Sequence, residues 1–154
     1  GDSMIMPMPT DDSPPVKLWQ SKQYTIDDPE AWMKRYVKHN LRVLAEPITI
    51  LANPTYLPPA VKDRYDKLWT DARMKQVIQA AIDNHVALEI NAQSGLPHER
   101  FIRLAKKMGA KFTFGTNNFK DNAIDMSRCF KAIEKYGLAK KDMYVPEPKQ
   151  PRTK

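Results

Sequence analysis

His85-Val86-Ala87-Leu88-Glu89-Ile90 is a short apolar run broken by one acid, and it ends in the polar loop Asn91 to Leu96. It reads as a β-strand. Two further runs have the same character. Ile48-Thr49-Ile50-Leu51 enters Ala52-Asn53-Pro54-Thr55, and Lys111-Phe112-Thr113-Phe114 is followed by Gly115.

Helical patterns separate these strands. Asp28-Pro29-Glu30 supplies a cap oxygen, a proline suited to the first helical position and an early acid. Trp32, Met33, Tyr36, Val37, Leu41 and Leu44 then share one stripe, so a helix runs to about Ala45, where Pro47 ends it. A short helical stretch is expected around Val61 to Leu68. Thr70 can cap a helix that buries Met74, Val77, Ile78, Ala81 and Ile82. Pro97 suits the first turn of a helix bearing Phe101, Ile102, Ala105 and Met108, which stops at Gly109. A last helix carries Ala123, Ile124, Phe130 and Ile133 and stops at Gly137, and Asp142 to Val145 is expected as a fourth short strand.

Helices alternating with short apolar strands every 25 to 40 residues or so are the pattern of successive βα units. The fold class is therefore α/β, with three or four parallel strands. That is too few for a closed eight-unit barrel, so an incomplete TIM-like (β/α) barrel is expected: a small open sheet, a sheet completed by a second chain, or one half of a barrel. Uncovered strand edges favour association, and homodimerisation is the expected consequence. Residues 1–16, with four prolines, read as an extended, peripheral lead-in. Residues 17–145 form the domain, and 146–154 are expected to fray. Met4, Met6 and Met8 alternate in the lead-in, but Pro7 and Pro9 confine any strand there to a sheet margin.

Composition narrows the function classes. The 154 residues carry 25 Lys and Arg against 18 Asp and Glu, a net charge of +7 spread along the chain. A diffuse excess is a solvated surface, so nucleic-acid binding is not expected. No apolar run is long enough to span a membrane. A single cysteine, Cys129, excludes an internal disulfide; within a helix and beside Phe130, it reads as a small packed side chain.

In parallel α/β folds the site lies at the carboxyl ends of the strands. Asn53-Pro54-Thr55, Glu89-Ile90-Asn91 and Gly115-Thr116-Asn117-Asn118-Phe119 all fall there. Glu89 is the sharpest of these residues, because an acid between Leu88 and Ile90 must either face water or find a cation or donor inside. His39, His85 and His98 share no loop and do not make a metal site, although His98, at a helix start, could contact a ligand. Phosphate-cradling glycine loops, H-E-x-x-H and paired-cysteine zinc spacings are absent, and Ser94-Gly95 lacks the preceding glycine of a nucleophile elbow.

Ile48 to Pro54, Ala87-Leu88-Glu89-Ile90-Asn91, Phe112 to Phe119 and Gly137-Leu138 together resemble the carboxyl-terminal half of the polymerase and histidinol phosphatase (PHP) domain. The resemblance runs from about Asp28 to Pro146. It implies a distorted (β/α) barrel holding a cluster of zinc, manganese or iron on histidines and acids at its strand ends. Against that pattern Asn53 stands where a histidine is expected, and Asn117 and Phe119 stand where an Asp-x-His pair is expected. The family's amino-terminal His-x-His pair has no counterpart, since no two histidines are separated by one residue. Asparagine oxygen is a weak ligand and phenylalanine is none.

The resemblance thus implies vestigial ligand-face positions at Asn53, Glu89, Asn91, Asn117 and Phe119, with no cofactor expected. The chain reads as a degenerate PHP-like domain serving binding or assembly. One alternative is a zinc- or manganese-dependent phosphoesterase whose missing ligands come from another chain or segment. The other is a weak nucleic-acid-binding module.

Overall fold

The computed structural model describes residues 1–117 and 125–146. The chain opens with a small antiparallel ribbon, β1 (Ile5–Pro7) and β2 (Pro15–Lys17), in which Ile5 lies opposite Lys17 and Pro7 opposite Pro15. Helix α1 (Pro29–Ala45) follows. Its N-cap Asp28 accepts the backbone N–H groups of Glu30 and Ala31, both at 3.0 Å, which satisfies two donors that the first helical turn leaves free. Strand β3 (Ile50–Leu51) leads through a 3-10 turn at Lys62–Arg64 into the single turn α2 (Tyr65–Leu68). Helix α3 (Asp71–Asp83) is capped by the Thr70 hydroxyl, which accepts from Arg73 N at 3.3 Å. Then come β4 (Ala87–Asn91), α4 (Glu99–Met108), β5 (Phe112–Gly115) and α5 (Ser127–Tyr136). Helices α4 and α5 stop at Gly109 and Gly137, whose φ values of 87° and 60° are left-handed and natural for glycine.

The three strands β3, β4 and β5 form one parallel sheet with β4 central. Ile50 pairs with Ala87, Leu88 with Phe112, Glu89 with Thr113 and Asn91 with Gly115. The fold is α/β as expected, and no closed barrel forms among the described residues. No helix among them is long and apolar enough to cross a membrane. Every residue of β4 is buried. An aromatic chain runs through the core: Trp32 stacks on Tyr36 at 4.8 Å, Tyr36 meets Trp69 edge-on at 6.1 Å, and Trp69 meets Phe101 at 6.5 Å.

Several expectations are corrected. Residues 1–16 are not peripheral, because Met6 and Met8 are buried in the core and the ribbon is lashed to α1. The Arg35 guanidinium donates to the carbonyl of Pro7 at 2.8 Å and to those of Pro9 and the Asp11 side chain. Strand β3 is two residues rather than four, since Ile48 N turns back to the Glu46 carbonyl at 2.6 Å. His85 lies outside β4, in a left-handed turn at φ 55°. Pro97 precedes α4 rather than sitting in its first turn, because His98 is still extended and forms the N-cap. The fourth strand shrinks to one bridge between Met143 and Phe112, as Lys140–Asp142 takes a 3-10 turn. In α5 the buried residues are Cys129 and Ala132, while Phe130 is 62% exposed; Ala123 and Ile124 lie outside the described residues.

Candidate functional site

Parallel register puts Glu89 and Asn91 on one face of β4, beside Thr113 and Gly115 of β5. Glu89 turns inward and is buried, so its carboxylate needs donors. The chain supplies them. Oε2 accepts the backbone N–H of Asn53 at 2.9 Å and the side-chain amide of Asn91 at 3.2 Å. Asn53 reaches this position in a left-handed conformation, φ 47°, which asparagine tolerates better than most residues. Close approach by Gly115 completes the pocket around the acid: a β-carbon there would lie 1.9 Å from Glu89 Oε1.

The amides of three asparagines then close on one another. Asn53 Nδ2 donates to Asn117 Oδ1 at 3.2 Å, Asn117 Nδ2 returns a longer bond to Asn53 Oδ1 at 3.4 Å, and Asn91 Nδ2 also donates to Asn117 Oδ1 at 3.1 Å. Asn91 Oδ1 accepts the backbone N–H groups of Gln93 and Ser94 at 3.0 and 2.9 Å, and Ser94 Oγ donates to Asn53 Oδ1 at 3.3 Å. Four of the sequence-derived positions, Asn53, Glu89, Asn91 and Asn117, thus form one network. The fifth, Phe119, lies outside the described residues.

His98 stands apart from this network. Its ring stacks on Tyr65, with centroids 3.7 Å apart. Tyr65 Oη donates to Thr55 Oγ1 at 2.6 Å and accepts the His98 backbone N–H at 3.3 Å, while Trp69 Nε1 donates to the Thr55 carbonyl at 3.0 Å. Burial pushes the Tyr65 phenol up to about 12. These contacts fix the Asn53-Pro54-Thr55 loop from its far side, so His98 is a support of that loop.

Sequence reasoning missed Ser94 and Asp2 as parts of the site, and it placed Gly115 at the strand ends without its contact to Glu89. In the sequence Ser94 offers only a poor match to a nucleophile elbow. Gly115 carried a usable signal, since a glycine at a strand end facing an acid marks a close approach. Asp2 carried none: it arrives at the strand ends because it bridges Ala52, fifty positions away in sequence. Burial raises its carboxyl above the usual range, and the negative charge of Glu89 adds to the rise. Cys129 sits behind the site, its Sγ 3.5 Å from the Ile90 carbonyl, with its thiol pushed up by burial.

A cluster of zinc or manganese does not fit these residues. Among the described residues no three His, Cys, Asp or Glu side chains converge. The asparagine oxygens already accept hydrogen bonds from within the network, and Glu89 Oε2 accepts two. Compared with protein-family models, curated proteins and solved structures, the chain matches none of them.

Proposed function

We propose that this chain is an incomplete (β/α) barrel that works by binding or assembly rather than by metal-dependent hydrolysis. One observation carries the reading. The only acid that β4 sends to the strand ends, Glu89, is engaged by the Asn53 N–H and the Asn91 amide, neutral donors that satisfy Oε2 of the buried carboxylate without a cation. Hydrolysis of a phosphate ester would require an activated hydroxide and a clamp on the phosphoryl oxygens, and amides bonded to each other offer neither.

Assembly is favoured by the sheet itself. Three strands do not close a barrel, and the described chain along the outer edge of β5 is one bridge at Met143. A second copy, or a separate barrel half, would cover that edge.

The test is elemental analysis of untagged protein offered zinc or manganese, combined with a phosphomonoester assay and light scattering. The expected result is no stoichiometric metal, no turnover and a dimer. Bound metal together with turnover that Glu89→Gln abolishes would overturn the reading in favour of a hydrolase with ligands from a second chain. A monodisperse monomer would remove the homodimer.

A further inference from the structure

A cleft of about 860 Å³ opens at the amino ends of the strands, at the opposite end of the sheet from the Glu89 network. Its volume lies within the range of small-molecule sites, roughly 300 to 1,000 Å³. Ile82, Val86, Met143 and Val145 give it an apolar wall, Lys111, Lys140 and Lys141 give it cations, and His85 adds an imidazole. No acidic side chain lines it among the described residues. The described acids nearest in sequence have partners of their own: Asp142 accepts the Ala139 backbone N–H at 2.8 Å, and Asp83 accepts the Gln79 side-chain amide at 2.8 Å; Glu147 lies outside the described residues.

Two details make this more than a surface hollow. Lys111 Nζ donates to the carbonyl of Lys141, which ties the residue before β5 to the 3-10 turn and leaves the ammonium charge without a carboxylate at the rim. His85 lines the cleft from a left-handed backbone conformation at φ 55°, where a glycine would sit without strain.

We infer that this cleft binds a small amphipathic anion, with an apolar body against Ile82, Val86 and Met143 and one carboxylate, sulfonate or phosphate head at the three lysines. Apolar walls supply the affinity, and uncompensated cations choose the charge. A neutral ligand of the same shape loses the second contribution.

The probes are anilinonaphthalene sulfonate and phenylnaphthylamine, the same ring system with and without the anionic group. Fluorescence titration is expected to give one sulfonate bound per chain, about tenfold tighter than the neutral probe. The double variant Lys140→Glu/Lys141→Glu, changed only at exposed positions, is expected to erase that preference while keeping the native circular dichroism. Methyl shifts on binding should centre on Ile82, Val86 and Met143. Equal affinity for both probes, a preference that survives the double variant, or shifts centred elsewhere would each overturn the inference. So would sulfonate binding that fades as protein concentration rises, which would give the cleft to a second copy of the chain.

Discussion

Gly115 and Glu89 touch so closely that any side chain at position 115 must push the carboxylate aside: a β-carbon would fall 1.9 Å from Oε1 and 2.8 Å from the carboxyl carbon. Gly115→Ala should therefore displace the carboxylate and cost about 1–3 kcal/mol, the usual range for overpacking. Denaturant midpoints check this. In a Glu89→Ala background the same alanine should cost much less, because the atoms it strikes are gone; an unchanged cost would show that the clash lies elsewhere.

Removing the acid leaves donors behind. Glu89→Ala strands the buried Asn53 N–H and one hydrogen of the Asn91 amide, a loss of about 1–3 kcal/mol. Glu89→Gln keeps an acceptor and should cost less. Both variants remove the negative charge facing Asp2, so the Asp2 carboxyl should titrate at lower pH than in the parent, as carbon-detected NMR would report.

The amino-terminal ribbon should behave as core. Met6 is 1% exposed, and Met6→Ala is expected to lower stability by about 2–5 kcal/mol, the range for a large-to-small change in a packed interior. A loss below about half a kcal/mol, the scale of a surface substitution, would mean that the ribbon is dispensable.

Acid should loosen the same region. His39 lies half-buried under the ribbon, and its Nε2 is buried without a partner. Burial lowers its affinity for a proton in the folded chain, as does the positive charge of Arg42 and Arg35, against an opposing pull from Asp11 and a hydrogen bond to the Ile5 backbone. A histidine depressed on folding contributes stability that is whole above its unfolded value of about 6.5 and is lost as pH falls below it. Stability should thus decline between about pH 7 and 5, before the paired carboxylates titrate. His39→Gln should flatten that limb of the profile.

Local chemistry is what the sequence made legible. Asp28 and Thr70 cap where their side chains predict, and Gly109 and Gly137 stop helices because a left-handed residue is needed there. The strand-end asparagines could be placed by strand order alone, and Glu89 faces inward as one of its two expected orientations. What could not be read is set by distant partners. Phe130 lies beside the stripe of Cys129, Ala132, Ile133 and Tyr136 on α5, and that stripe rather than Phe130 is turned toward Ile90. Met6 reads as a residue of a proline-rich arm until Arg35 supplies the hydrogen bonds that hold the arm down.

The bridge between Asp2 and Ala52 also orders events in time. The Gly1 nitrogen donates to the Ile50 carbonyl at 2.6 Å and Ala52 N to the Gly1 carbonyl at 2.9 Å, contacts that close a loop of 49 residues. Closing such a loop carries an entropic cost that nearby contacts do not, so its pairing follows the structures it docks on. Gly1 and Asp2 are then among the last residues to be placed, and until α1 and β3 exist they have nothing to hold.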